Sequence, residues 1–113
     1  MEISVARKRL EEMCADLDKT VLVLMGEHHL ARGGGAEAGD AGANLTEADR
    51  SAASVQAAVA QRAEVLAALA RIDNGSYGKC VDCGGPVPEP RLEARPATAR
   101  CVSCQTKRDR RRR

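Results

Sequence analysis

Aromatic residues are almost absent from this sequence: its 113 residues include one tyrosine, no phenylalanine and no tryptophan. Sheets and globular cores rely on aromatic and β-branched side chains, so this deficit and the abundance of alanine favour paired helices. The same deficit argues against a platform on which the bases of single-stranded nucleic acid stack. A chain of this length is expected to form one small domain, or a module with an extension.

Long apolar runs are also missing. The longest, residues 21–25, is far too short to cross a membrane. Charged residues interrupt any apolar stretch near the start of the sequence, so no export signal is predicted: Glu2, Arg7, Lys8 and Arg9. We therefore expect a cytoplasmic protein without membrane association, in which the cysteines stay reduced.

Catalytic patterns are absent as well. No Ser-His-Asp, Cys-His or paired-carboxylate arrangement stands out, and the glycine run at 33–35 lacks the lysine and the preceding strand of a phosphate loop. His28 and His29 are adjacent on a predicted helix and face different directions, so we interpret them as a solvated helix end. The chain is predicted not to be an enzyme.

The sequence does contain two pairs of cysteines, and the members of each pair are separated by two residues. Cys80 and Cys83 form the first pair, Cys101 and Cys104 the second, with seventeen residues between the pairs. Two disulfides would need an oxidising compartment, and buried thiols rarely occur in evenly spaced pairs. The spacing predicts one tetrahedral Zn²⁺ site, because zinc accepts four thiolates. Four sulfurs leave no open position, so this zinc is predicted to be structural.

The segment around these cysteines has few large apolar side chains. Between residues 74 and 104 they are Tyr77, Val81, Val87, Leu92 and Val102. A core this small cannot offset the cost of ordering about thirty residues. Zinc contributes roughly 10–16 kcal/mol in comparable finger peptides. We therefore expect this segment to fold around its metal.

Two amphipathic segments precede the cysteines. Residues 3 to about 31 are predicted to form a helix with a coiled-coil seam, widened by Cys14 and Val21, that consists of Ile3, Ala6, Leu10, Met13, Leu17, Thr20 and Leu24. Residues 33–44 are mostly glycine and alanine and are predicted to form a flexible tip loop.

A second helix is predicted from about residue 47 to 73. Thr46 is expected to be its N-cap, with Asp49 as the acid of a capping box, and Asn74-Gly75 its C-terminal cap. Its weaker seam comprises Ala52, Val55, Val59, Leu66 and Leu69. Helices of similar length with complementary stripes favour an antiparallel hairpin over residues 1–73. An intermolecular coiled coil is the competing arrangement.

The C-terminal part divides into a four-cysteine finger, residues 74–106, and a basic tail, residues 107–113. A short helix is expected after Cys104. The tail has a local charge of +5, because one acid, Asp109, is set against Lys107, Arg108, Arg110, Arg111, Arg112 and Arg113. The chain has a net charge of +2, so the remainder carries −3. Only the tail is therefore basic enough to attract nucleic acid.

Two stretches allow comparison with a known family. Residues 68–85 read ALARIDNGSYGKCVDCGG, and residues 91–107 read RLEARPATARCVSCQTK. Together they closely resemble the DksA/TraR C4-type zinc-finger proteins of bacteria. The preceding residues resemble that family in architecture, as a helical hairpin.

The resemblance implies a transcription regulator that binds bacterial RNA polymerase directly and does not recognise DNA itself. In that family the hairpin enters the polymerase secondary channel, and acidic tip residues influence initiation complexes, often together with the alarmone ppGpp. The family's tip motif is Asp-x-x-Asp-x-Ala, and it aligns with residues 46–51. Asp49 matches the second acid, whereas Thr46 replaces the first acid and Ser51 replaces the alanine. Glu47 is a neighbouring acid, so the implied polymerase-contacting tip comprises Thr46, Glu47 and Asp49.

Two other functions are compatible with the same sequence. A zinc-ribbon adaptor would bind nucleic acid through the basic tail, with an affinity that falls steeply with salt. A coiled-coil module would dimerise through Leu10, Leu17 and Leu24. For the preferred regulator we expect a monomer.

Overall fold

A computed structural model describes residues 1–33 and 41–112, without the side chains of residues 31–33 and 41–45. It contains helices α1 (Ile3–Gly33), α2 (Ala41–Asn74), α3 (Glu89–Ala94) and α4 (Val102–Arg111). Within the described ranges, the extended backbone pairs in one isolated bridge, between Lys79 and Pro86. No helix in these ranges is long and apolar enough to span a membrane. The predicted mainly helical fold, with two long helices followed by a finger and a short C-terminal helix, is confirmed.

The chain forms two compact units. One comprises Met1–Met13 and Glu64–Arg113, and the other comprises Cys14–Ala63. The predicted division after residue 73 does not coincide with this one, because the start of α1 and the end of α2 belong to the same unit as the finger.

The first unit has an apolar core between α1 and α2. Its buried side chains are Ala6, Leu10, Val65, Ala68 and Ile72, of which Leu10 and Val65 are the largest that are fully buried. Arg7 on α1 and Asp73 on α2 form an ion pair at 2.7 Å. The start of one helix therefore lies beside the end of the other, as the antiparallel prediction requires.

The end of α2 is capped as its sequence predicts. Gly75 has φ +81°, a conformation that glycine adopts at little cost. The Gly75 N–H donates to the Ile72 carbonyl at 3.3 Å, and the Ser76 N–H donates to the Arg71 carbonyl at 2.9 Å. These two bonds form a Schellman motif, which satisfies carbonyls that the helix leaves open.

The finger has an even smaller core than its sequence indicates. Cys80, Val87 and Leu92 are buried, with Tyr77 packed against them. Val81 and Val102 are 49% and 57% exposed, so these two valines contribute little to the core. The small core supports the expectation that the finger depends on metal.

Polar side chains connect this finger to the helices of its own unit. Arg9 donates to the Glu93 carbonyl at 3.0 Å, and the Tyr77 hydroxyl donates to the Pro96 carbonyl at 2.8 Å. Burial raises the pKa of Tyr77, which keeps its hydroxyl protonated as a donor. The Arg9 bond joins α1 to α3, whereas the Tyr77 bond lies within the finger and holds the loop between α3 and α4.

The second unit is an antiparallel pair of helical segments. Asp18 on α1 forms an ion pair with Arg62 on α2, and His28 on α1 bonds with Ser51 on α2. Half-buried side chains on α1 recur at every third or fourth position: Cys14, Leu17, Val21, Leu24 and His28. Leu17 and Leu24 thus face the interior of this unit as predicted.

Parts of the predicted seams are wrong. Val59 and Leu66 are 48% and 40% exposed, whereas the neighbouring Ala58 is buried. On α1, Ile3 is 50% exposed, and Thr20 is exposed and donates to the Asp16 carbonyl at 2.9 Å. On α1 the prediction followed a strict seven-residue repeat, from which a straight helix drifts, so the half-buried position is Val21 and not Thr20. On α2 the prediction chose the larger Val59 over the neighbouring Ala58, which is the buried one.

The predicted start of α2 is also wrong. The helix begins at Ala41, so Thr46 lies within it and is not its N-cap. Ala41 and Ala43 favour this earlier start, whereas Gly42 and Asn44 oppose it, so intrinsic helix propensity does not by itself decide where α2 begins. Of the predicted tip loop, residues 34–40 lie outside the described residues, while residues 33 and 41–44 are helical.

The finger contains two further helices. The predicted short C-terminal helix begins at Val102, before Cys104, and extends to Arg111, so most of the basic tail is helical. The sequence did not predict α3, a helix of six residues with proline in its first turn.

Candidate metal centre

The four predicted ligands form one cluster. The sulfur atoms of Cys80, Cys83, Cys101 and Cys104 all lie within 4.8 Å of one another. The Sγ atoms of Cys83 and Cys101 are 3.9 Å apart. Bonds of 2.3 Å to a tetrahedral zinc ion place two sulfurs about 3.8 Å apart. This distance fits a zinc site, whereas a disulfide requires sulfurs about 2.05 Å apart.

A tight turn of the backbone forms the first knuckle. The Gly84 N–H donates to the Cys80 carbonyl at 2.9 Å, and the Cys80 N–H donates to the Gly85 carbonyl at 2.7 Å. Gly84 has φ +73°, which a residue with a Cβ adopts only with strain. The turn brings the sulfurs of Cys80 and Cys83 to the same side of the chain.

The second knuckle is the start of α4. Cys101 is the N-cap residue and Cys104 lies in the first turn, where the Gln105 N–H donates to the Cys101 carbonyl at 2.9 Å. The positive end of the helix dipole favours negative charge, so it stabilises thiolates at this position. The Val81 N–H donates to the Ala99 carbonyl at 2.9 Å, which connects the two knuckles.

The thiol groups are polarised for metal binding. Hydrogen bonds from backbone N–H groups, that of Cys83 first, lower the pKa of Cys80 to about 6. Hydrogen bonds with Cys101 and Cys80 raise the pKa of Cys104 to about 12. The four thiolates would hold one Zn²⁺, and its role would be structural because no coordination position would stay open.

Comparison with known proteins agrees with this geometry. Residues 75–110 match the family described as "Prokaryotic dksA/traR C4-type zinc finger". The finger is of the DksA/TraR type. The resemblance predicted from the sequence is therefore confirmed, as are the four-cysteine site and its single zinc.

Proteins from other bacteria match this chain over the region of the DksA/TraR-type finger. The chain is 46% identical over 46 residues to the "RNA polymerase-binding transcription factor DksA" of Caulobacter vibrioides. An uncharacterised protein of Aquifex aeolicus matches to the same extent. Each alignment covers 41% of this chain and 32% of the relative, so the chain matches about a third of the length of these proteins.

The fold extends the likeness beyond the DksA/TraR-type finger. The structure of transcription factor DksA2 from Pseudomonas aeruginosa superposes with a TM-score of 0.84. The superposition covers 97% of this chain and 84% of that one, at 21% sequence identity. At this identity the match shows the fold alone, which is a helical hairpin joined to a DksA/TraR-type finger.

The three predicted tip residues lie together on α2. Thr46, Glu47 and Asp49 are all exposed, and they belong to the second unit, not to the unit of the metal centre. Asp49 is eight residues beyond the start of α2, and the first turn of that helix has no acid. Stabilisation of a helix dipole is confined to the first turn, so it does not explain Asp49.

The predicted basic residues lie on α4. Lys107, Arg108, Arg110 and Arg111 are helical and exposed, and Arg112 follows directly as the C-cap. Arg113 lies outside the described residues. Cys101 and Cys104 lie at the start of α4, so the metal centre positions the helix that carries these cations.

His28 was predicted to lie at a solvated helix end, but it forms a polar contact close to the tip residues. His28 Nδ1 lies 2.7 Å from Ser51 Oγ, and Ser51 Oγ lies 3.0 Å from the Ala48 carbonyl. The hydroxyl uses its one hydrogen on that carbonyl, so we infer that His28 carries its proton on Nδ1 and donates it to Ser51. A side-chain bond across a seam specifies the register of two helices.

This contact yields a prediction. His28→Leu removes the donor and lowers the free energy of unfolding by about 1 kcal/mol, the net value of such a bond. His28→Asn places an amide N–H where Nδ1 was, so it should retain most of that stability. Urea unfolding of both variants measures the difference. Equal losses in the two variants would show that the hydrogen bond has no stabilising effect.

Proposed function

We propose that this protein is a zinc-dependent transcription regulator that binds bacterial RNA polymerase. The observation that carries the proposal is a DksA/TraR-type finger joined to a helical hairpin with the fold of a DksA-type transcription factor. The 46-residue match to a relative named for RNA polymerase binding supports it. The protein acts by occupying a site on the enzyme, not by catalysis, and we place it in the cytoplasm.

We further propose that the hairpin enters the secondary channel with Thr46, Glu47 and Asp49 as its contacting residues. The unit of residues 14–63 has seven acids and four basic residues, a charge of −3. Glu47 and Asp49 form no ion pair with any residue in the described ranges. Exposed, unpaired carboxylates suit contact with basic residues or with the ligands of a catalytic Mg²⁺.

Binding is tested with the whole zinc-loaded protein, labelled with a fluorophore, and purified bacterial core RNA polymerase. We expect saturable binding that a known secondary-channel binder displaces. Displacement supports the channel, whereas binding without displacement would place the protein elsewhere on the polymerase. Absence of binding at micromolar polymerase would refute the proposed function.

The role of the tip is tested by Asp49→Asn, which removes the charge and preserves the shape. We expect the variant to bind polymerase and to change transcript yield at responsive promoters roughly tenfold less, the factor that 1.4 kcal/mol of lost interaction gives. In vitro transcription with and without ppGpp measures this effect and the predicted contribution of the alarmone. Asp16→Asn, which neutralises an exposed acid on α1, is the matched control. A fully active Asp49→Asn would exclude this residue from the mechanism.

The two alternative functions are less well supported. Leu10 is buried inside its own unit, and Leu17 and Leu24 are half-buried, so the seam offers little surface to a second chain. Sedimentation of the whole protein distinguishes the expected monomer from a dimer. The exposed cations of α4 are compatible with nucleic-acid binding, which a salt titration of oligonucleotide affinity would measure.

A further inference from the structure

A cleft lies between the first knuckle and α4, beside the metal centre. Its volume is about 520 Å³, and its walls consist of Val81, Asp82, Cys83, Cys104, Lys107, Arg108 and Arg111. The α4 members follow one another at helical spacing, so they share one face of that helix. Arg110 and Arg112 belong to the same basic run but do not line the cleft. The helix therefore directs some of its cations to the cleft and leaves others outside it.

Positive side chains outnumber negative ones in this cleft. Its one carboxylate, Asp82, already accepts a hydrogen bond from Arg100 at 2.8 Å. In the described ranges, no ion pair neutralises Lys107, Arg108 or Arg111. Asp109, the acid of α4, is bonded to Gln105 at 3.0 Å. The cleft therefore has three cations and no carboxylate free to oppose them.

Zinc and its thiolates do not account for all three cations. One Zn²⁺ with four thiolates has a formal charge of −2, spread over four sulfurs. Three cations exceed that charge by one, and all three remain exposed to solvent. They are thus available to an anion from outside the protein.

We propose that this cleft is a binding site for phosphate groups. Arginine binds phosphate through two parallel N–H donors, and lysine adds a compact positive charge. Two arginines and a lysine around one cleft suit an anion with several negative charges, such as a di- or triphosphate. No aromatic residue lines the cleft, so there is no surface on which a base stacks. The site therefore recognises phosphate and does not discriminate between bases.

The test uses the whole zinc-loaded protein and inorganic pyrophosphate as the probe, followed by calorimetry. We expect saturable binding of one pyrophosphate per chain. Arg111→Gln should weaken it at least fivefold, whereas Arg110→Gln should change it less than twofold. Both variants lose one exposed cation from the same helix. A difference in their pyrophosphate affinities therefore reports whether the lost cation lined the cleft, and not the change in net charge. Zinc content and helical circular dichroism verify that each variant is folded.

Equal losses in the two variants, or no saturable binding below millimolar pyrophosphate, would overturn the proposal. Lys107→Gln, which alters a second lining residue, should behave as Arg111→Gln does. If Lys107→Gln and Arg111→Gln both bind like the unaltered protein, the cleft is not the site.

A second set of titrations identifies the source of the phosphate. A nucleoside triphosphate that competes with pyrophosphate, with the same loss in Arg111→Gln, supports a free nucleotide. An oligonucleotide that binds more tightly, with a steep salt dependence and the same sensitivity to Arg111→Gln, supports a nucleic-acid backbone. Oligonucleotide binding that is equally sensitive to Arg110→Gln contradicts a defined site. No polymerase is present, so these outcomes are independent of the proposed function.

Discussion

Replacing Cys80 with serine is expected to abolish stoichiometric zinc binding and to unfold the finger. Cys80 is a ligand and also a member of the finger's small core, with Val87 and Leu92. Zinc contributes roughly 10–16 kcal/mol to the folding of finger peptides, far more than two buried aliphatic side chains provide. Loss of one thiolate removes most of that energy. Zinc content by mass spectrometry and unfolding by circular dichroism measure the effect.

Cys14 provides the matched control. It is a half-buried cysteine on α1 and lies outside the sulfur cluster. Cys14→Ser changes the same atom and should leave one zinc per chain. A strong chelator should reproduce the effect of Cys80→Ser in the unaltered protein. If Cys80→Ser kept both its zinc and its unfolding transition, zinc would not hold the finger together.

The metal centre could be predicted from sequence because its determinants are local. Two residues between cysteines suffice for a knuckle, and a glycine such as Gly84 supplies the turn with its positive φ. The long helices were predictable for a similar reason, since an apolar residue at every third or fourth position is repeated many times. A helix as short as α3 shows no such repeat, so its sequence did not reveal it.

The seam of α2 was harder to predict because side-chain size is a poor guide to position. Ala58 and Ala68 are buried, whereas the larger Val59 and Leu66 are 48% and 40% exposed. A small residue lets two helix backbones approach, so the seam accepts alanine where a sequence pattern favours leucine or valine. Which residues of α2 are buried depends on their contacts with α1, and α1 is distant in sequence.

The start of α2 was predicted wrongly and the contact near the tip was not predicted, for different reasons. Thr46 has the chemistry of an N-cap, but α2 extends back to Ala41, so this residue lies within the helix. His28 and Ser51 are 23 residues apart, and only the antiparallel pairing of α1 and α2 brings their side chains within 2.7 Å. The earlier start of α2 places Asp49 beyond the first turn, where an acid is not needed to stabilise the helix end, and this supports a functional role for Asp49.

The second large effect is expected for Leu10→Ala. Leu10 is fully buried between α1 and α2, in a core whose other members include Ala6 and Ala68. Alanine neighbours are too short to fill the space that the leucine leaves, so the cavity persists. Removal of a buried leucine costs about 3–5 kcal/mol when its site does not collapse. Urea unfolding of the zinc-loaded protein should show this loss.

Leu22→Ala is the control for this prediction. Leu22 is on the same helix and is 72% exposed, so its replacement should change the free energy of unfolding by less than about 0.5 kcal/mol. The comparison holds helix propensity constant, because both variants exchange leucine for alanine within α1. Similar losses in the two variants would contradict the burial of Leu10. A loss confined to Leu10→Ala, with zinc retained, would show that the helices stabilise this unit separately from the metal.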